Sequence, residues 1–406
     1  MSIDPVGVRI SSPLAAFSDG YASDLTRLGY APASVRLQMK VLADLSDWLL
    51  NHGMVAADLR SSDLGRFLRD RRAAGHTRYA SFKAVRPVLN YLQRLEVMPP
   101  QTEDAVLGPV DVVLDQFWRY LTVERALVAA TARGYTDMVR PFLQGRLSAD
   151  GLALDLEHLT AADVVSFVVA RCPWQSRGAA KLTVTALRSL LRFLHLDGVI
   201  EGSLASAVPS VAGRRLVGLP KGLEPDQVRR LLASCDDSTR RGCRDIAILT
   251  MLVRLGMRSG EVAKLRLDDI DWRAGETIVR GKANCIERVP LPADVGRAVA
   301  EYLRRGRPAS AQGRTVFVRI KAPHRHLSSS AVSNVVADAA QRAGLGRIHA
   351  HRLRHTAAMQ MLRAGASLPE ISQLLRHRRA LTTAIYAKVD RDALRTVARP
   401  WPGDVA

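Results

Sequence analysis

Cysteine is scarce in this 406-residue chain. Its four thiols, Cys172, Cys235, Cys243 and Cys285, form no CxxC pair and no ladder, which argues against a disulfide scaffold or a cysteine zinc site and points to a reducing cytoplasm. Long apolar runs are missing as well. Stretches such as Ile246 to Val253 stop at Arg254, far short of the roughly 18 apolar residues of a membrane span. The first residues, MSIDPVGVRISSPLAAF, lack the basic start and apolar centre of a secretory signal. Acidic residues are the scarcer charge, 39 against 59 Lys and Arg, for a net +20. Because 47% of residues are apolar, this is no disordered basic tail. Such a charge on a folded chain implies a polyanionic partner, which could be DNA, RNA or an anionic membrane surface.

The excess charge is not spread evenly. Residues 1–110 carry 13 basic and 11 acidic side chains and residues 111–205 carry 10 of each, whereas residues 206–406 carry 36 against 18. The polyanion should therefore be handled by the last half.

The length suggests two or three domains at roughly 100–200 residues each. The first half reads as helices, and as one helical unit used twice. Leu59, Asp63 and Phe67 recur one hundred residues later as Leu159, Asp163 and Phe167, and Val85 to Leu92 matches Leu187 to Leu194 at a spacing of 102. A single match would reflect shared amphipathicity, but two in order at nearly equal offsets point to duplication and to two tandem helical bundles. Prolines near Met98-Pro-Pro and a Gly/Pro-rich stretch from Val208 to Gly222 mark the boundaries. The expected parts are an N-terminal helical domain over 1–105, a second helical domain over 106–208, a basic linker over 209–222 and a mixed α/β domain over 223–406. The linker holds Arg214, Arg215 and Lys221, which suit a chain closing around DNA and equally suit a merely soluble connection.

In the second half, Asp245 to Arg254 reads as a buried helix ended by Gly256, and Ser259 is placed to cap the helix Gly260 to Leu265. Glu276–Arg280 and Ile286–Val289 read as a hairpin joined by residues 281–285. At least three helices are expected between Ser329 and about Leu394.

Five segments of this half concentrate phosphate-binding and proton-transfer groups: Gly256-Met-Arg-Ser-Gly-Glu261, Gly281-Lys-Ala-Asn284, His351-Arg-Leu-Arg-His355, Leu374-Leu-Arg-His377 and Thr382-Thr-Ala-Ile-Tyr386. Each alone is weak, since an isolated arginine is usually a surface charge and an isolated tyrosine usually packs. In the order Arg, Lys, His-x-x-Arg, His, Tyr, the set resembles the signature of the tyrosine recombinase (phage integrase) family. The resemblance is close from Leu223 to about Val389 and looser from Asp111 to Ala205, the family's helical core-binding domain. Two departures stand out: Gly-Lys-Ala-x-Cys replaces the frequent Gly-Lys-Gly-x-Lys, and Arg376 stands where a glycine usually precedes the histidine.

The resemblance implies the roles. Arg258 and Arg354 would clamp the scissile phosphate with permanently charged bidentate donors, while His351 assists proton transfer and shares a helix face with Arg354. His377 would bond a phosphate oxygen, Lys282 would protonate the departing 5′-oxygen, and Tyr386 would attack, leaving a 3′-phosphotyrosyl bond. That bond stores the phosphodiester energy, so neither a cofactor nor a metal is expected. His351 and His355 have zinc-helix spacing, but Arg352 occupies the base position and no third ligand is evident. His355 reads instead as a buried, hydrogen-bonded histidine, and Glu261 as the partner of a nearby basic group. Lys181, Arg188 and Arg192 fall on one helix face that fits a major groove, and Arg376 adds a further candidate DNA contact.

The expected fold class is mainly α with a mixed α/β catalytic domain: two tandem SAM-like helical bundles followed by a tyrosine-recombinase catalytic domain. The expected activity is site-specific recombination of double-stranded DNA by a homo-tetramer on synapsed sites, with or without a partner recombinase, for integration, excision or transposition of a mobile element. The competing readings are a catalytically silent DNA-binding accessory and a type IB topoisomerase.

Overall fold

Local caps and apolar spacing set the helices. The computed structural model describes residues 2–3, 8–10, 13–76, 79–98, 108–148, 150–212, 222–281, 286–376, 383 and 385–386. A small antiparallel ribbon, β1 (Ser2–Ile3) and β2 (Arg9–Ile10), precedes the first bundle. That bundle comprises α1 (Ser18–Arg27), α2 (Pro32–Asn51), α3 (Ser61–Ala73) and α4 (Phe82–Arg94). Its core is Tyr21, Met39, Leu42, Leu45, Phe67, Val88 and Leu92. The buried Tyr21 hydroxyl donates to Gln38 Oε1 at 2.8 Å, and Gln38 Nε2 donates to the Ala84 carbonyl at 3.2 Å, so a polar pair inside the core is satisfied rather than stranded.

The second bundle, α5 (Pro109–Arg119), α6 (Ala129–Gln144), α7 (Ala161–Arg171) and α8 (Arg177–Leu196), repeats the plan. The repeat extends to its caps. Asp63 accepts from the Arg60 amide at 3.0 Å to start α3, and Asp163 accepts from the Thr160 amide at 2.9 Å to start α7. The apolar positions matched by sequence, Val85 with Leu187 and Leu92 with Leu194, are buried in their own cores.

Residues 101–217 form one compact unit, and residues 1–100 form the other together with residues 218–406. Within this latter unit the chain comes close at Gly29, whose φ of +82° has no side chain to clash; a Cβ there would lie 2.3 Å from Ser310 Oγ.

The last half is built on α10 (Arg240–Arg254), whose Ala247, Ile248, Leu249, Met251, Leu252 and Val253 are almost fully buried. The helix starts five residues before the expected Asp245, because Thr239 Oγ1 accepts from the Gly242 amide at 3.0 Å and nucleates an earlier turn. Around it stand α9 (Pro225–Ala233), α11 (Ser259–Lys264), α12 (Ala293–Glu301), α13 (Ser329–Arg342), α14 (Ala350–Arg363) and α15 (Leu368–Leu374). A three-stranded antiparallel sheet runs in the order β3 (Ile270–Asp271), β4 (Glu276–Arg280), β5 (Ile286–Pro290). The β4–β5 pair is the expected hairpin, with Arg280 opposite Ile286.

Gly256 ends α10 in the left-handed region at φ +57°, and a Cβ there would sit 2.4 Å from Leu375 Cδ2 and 3.3 Å from Ala357 Cβ. Gly256→Ala should therefore cost about 2–4 kcal/mol, from an unfavourable backbone conformation and from overpacking. Urea unfolding of the full chain measures this, and a loss below about 0.5 kcal/mol would contradict the close approach.

A candidate active site at the ends of α10, α14 and α15

Arg258 sits between α10 and α11 with extended backbone, φ −80° and ψ 151°. It, and not Ser259, is the N-cap of α11. Glu261 Oε2 accepts from the Arg258 amide at 2.8 Å, and Glu261 Oε1 accepts from Arg258 Nη1 at 2.6 Å. One buried carboxylate thus starts the helix and aims the guanidinium. Ser259 is instead the first helical residue, its hydroxyl 3.1 Å from that of Ser333.

A second guanidinium shares this carboxylate. Arg376 Nη2 donates to Glu261 Oε2 at 3.0 Å, with both side chains about 5% exposed. Arg376 was expected to reach DNA, and the structure corrects this: its guanidinium points inward, because the turn after α15 adopts φ +56° and delivers the side chain to Glu261. That left-handed angle explains why a glycine is the usual occupant. The Glu261 carboxyl is pushed up by burial, yet Arg376 and Arg258 outweigh burial and hold it below its ordinary value.

Arg354, on α14, is 2% exposed. Its Nη1 donates to the Gly256 carbonyl at 2.5 Å and its Nη2 to the Leu375 carbonyl, so it ties the end of α10 to the end of α15. Burial, then Arg258 and Arg376, bring its pKa down to about 10, which leaves it charged at neutral pH. Three guanidiniums around one carboxylate make a site of net positive charge, suited to an anion that two of them can face together.

On the preceding turn of α14, His351 is exposed. Desolvation, Arg354 and Arg258 lower its pKa, in that order. Tyr386 is 1% exposed and packs with Ala358, Ile371 and Leu375. Burial pushes its phenol up to about 12, with Arg354 opposing. The partner of its hydroxyl is a residue to which the family resemblance gave no role in the chemistry: His355 Nδ1 lies 2.8 Å from Tyr386 Oη, and the rings meet at 63°. His355 also meets His351 edge to face, ring centres 4.7 Å apart. Burial, His351 and Arg354 bring its pKa down to about 4, so it is neutral near pH 7. The four-residue spacing of these histidines was the available signal, though it does not reveal a tyrosine 31 positions away.

Lys282, His377, Arg214, Arg215 and Lys221 lie outside the described residues. Of the stripe on α8, Lys181 and Arg192 are exposed, whereas Arg188 is half-buried and donates to the Val208 carbonyl at 2.8 Å. Among the described residues no group of three or more His, Cys, Asp or Glu is placed to hold a metal ion, and no helix is long and apolar enough to cross a membrane.

Residues 221–392 match the family model described as the phage integrase family, and residues 114–198 match the phage integrase N-terminal SAM-like domain. A Sinorhizobium fredii chain named integrase/recombinase y4rA is 42% identical over 396 residues, 97% of this chain and 95% of that one. The tyrosine recombinase XerD of Mycobacterium tuberculosis is 35% identical over 306 residues, 71% of this chain and 96% of its own. Among solved structures, XerH site-specific recombinase in a post-cleavage complex with palindromic difH aligns with a TM-score of 0.56 at 18% identity, over 73% of this chain and 98% of that one, which is a likeness of fold.

Proposed function

The chain belongs to the phage integrase family of tyrosine recombinases, enzymes that break and rejoin DNA strands, and from that premise we propose that it does so through a 3′-phosphotyrosyl bond on Tyr386 to integrate, excise or transpose a mobile element. The observation that carries this reading is the gathering of Arg258, Arg354, His351 and Tyr386 from three separate stretches of sequence into one positively charged site. In the proposed reaction Arg258 and Arg354 neutralise the two non-bridging oxygens of the scissile phosphate, charge that grows as the fifth oxygen approaches. His351 stands at the open rim, where it can bond the same phosphate. Lys282 protonates the departing 5′-oxygen and His377 completes the phosphate contacts, as the family pattern implies.

The domain reading that goes with this is an N-terminal helical domain over 1–105, a core-binding domain over 106–208, a basic linker over 209–222 and the catalytic domain over 223–406. Four copies would act on two synapsed duplexes.

The reading is tested on nicked suicide duplexes built from the DNA flanking the gene, in which cleavage releases a short fragment and traps the intermediate. The wild-type protein should give an SDS-resistant adduct that keeps the label placed 5′ of the cut, and should leave a free 5′-hydroxyl on the other side. Binding without any adduct would favour a silent accessory. Adducts on unrelated plasmid, with relaxation of supercoils, would favour a topoisomerase.

Lys181 and Arg192 are assigned to the DNA backbone. Changing both to alanine should weaken binding of the same duplex and reduce the slope of log affinity against log salt by about 2. An unchanged slope in a salt titration would remove α8 from the interface.

A further inference from the structure

We propose that His355 takes the proton from the Tyr386 hydroxyl during strand cleavage and returns it on rejoining, an inference that rests on the strand-cleavage reading above. Contact is the first ground for it. Nδ1 of His355 is 2.8 Å from the attacking oxygen, within the reach a general base needs, whereas His351, the histidine of the family pattern, stands at the exposed rim one turn earlier.

Need is the second ground. The Tyr386 phenol lies in an apolar pocket that raises its affinity for its proton. A nucleophile in that state is essentially all protonated near pH 7.5, so attack requires a base at contact distance. A neutral imidazole accepts the phenol proton directly when Nδ1 is the unprotonated nitrogen.

The charges facing His355 also give the transfer a condition. His351 and Arg354, on its own helix, act on it directly; Arg258, on the turn before α11, and Arg376, after α15, stand around Arg354 with Glu261 on α11 as the opposing anion. This surplus of positive charge disfavours an imidazolium while the site is empty. A bound phosphodiester adds a negative charge, and the five-coordinate phosphorus adds another, so the imidazolium becomes favourable only with DNA in place. The nucleophile would thereby be activated by its substrate.

The step balances as follows. The phenol O–H bond breaks, the proton moves to His355 Nδ1, and the phenolic oxygen bonds to phosphorus. The bond from phosphorus to the 5′-oxygen then breaks, and that oxygen leaves as a hydroxyl with a proton from a separate acid, Lys282 in the family pattern. In rejoining, the 5′-hydroxyl returns its proton to that acid and bonds to phosphorus, the bond from phosphorus to the Tyr386 oxygen breaks, and the phenol recovers its proton from His355.

The test uses His355→Ala and His355→Gln in the full chain, with single-turnover cleavage of the flanking-DNA suicide duplex carrying either a 5′-oxygen or a 5′-sulfur at the scissile bond. Sulfur leaves without a proton, so it rescues a missing acid and not a missing base. Both variants should cleave about 10²–10⁴-fold more slowly than wild type with either leaving group, while binding the duplex within twofold of wild type. Glutamine can hold the phenol by a hydrogen bond but cannot take its proton, so it should be as slow as alanine, and it carries the test if alanine fails to fold. Wild-type rates in the glutamine variant would reduce His355 to a holding group, and rescue by sulfur would make it an acid; either result overturns the proposal. If wild-type protein forms no adduct, the strand-cleavage reading itself fails, and that outcome is separate from the behaviour of the His355 variants.

Discussion

Tyr386→Phe should lose the covalent adduct altogether, with single-turnover cleavage of the suicide duplex at least about 10⁴-fold below wild type, on the scale of removing a nucleophile that nothing nearby can replace. The substitution deletes one oxygen and leaves the ring among Ala358, Ile371 and Leu375. The fold should lose only the hydrogen bond to His355, about 0.5–1.5 kcal/mol, and DNA affinity should stay within twofold. The separation of effects is the point of the experiment: the proposed reaction gives binding to guanidiniums and lysines and bond-making to one phenol. A gel of SDS-treated reactions beside a binding titration reads both, and an adduct from the phenylalanine variant as abundant as from wild type would move the nucleophile to another residue.

Glu261→Gln is expected to have the largest effect on stability, because its carboxylate is the anion shared by Arg258 and Arg376 and lies inside the protein. Removing one partner from a buried ion pair leaves the others uncompensated, which costs about 3–5 kcal/mol. Cleavage should also fall about 10²–10³-fold, since Arg258 loses the group that aims it at the phosphate. The pH dependence has a definite sign. The folded carboxyl lies below its ordinary value of 4.5, so its stabilisation is fully present above that pH and is lost as acidification passes through the lowered value. Melting curves between pH 7 and pH 3 should therefore show a steeper acid loss for wild type than for the glutamine variant. Parallel curves would mean that the carboxylate carries no such linkage.

Much of this site was legible before any fold was known. The strand-turn-strand pattern from Glu276 to Pro290, the glycine that ends α10, and the His-x-x-Arg spacing on α14 are local features, fixed by side-chain period and turn chemistry within a few residues. The matched capping aspartates Asp63 and Asp163 are equally local, and they carry the duplication of the helical unit. What was misread depends on partners far along the chain. Arg376 looked like a DNA contact, but its direction is decided by a carboxylate 115 residues away and by a left-handed turn that the sequence marks only as a missing glycine. Arg188 lies on the expected helix face, yet a carbonyl twenty residues downstream takes its guanidinium.

By itself, then, the sequence determined the chemistry available: an arginine pair, a histidine and a tyrosine in a fixed order, on a half-chain with twice as many basic as acidic residues. Only the tertiary structure decided which of those groups touch. Contact between Tyr386 and His355, and the sharing of Glu261 by two arginines, arise because α10, α14 and α15 bring their ends together around Arg354. Hydrogen bonds act over about 3 Å whatever the separation along the chain, so residue order can name the reacting groups while packing alone assigns the proton its path.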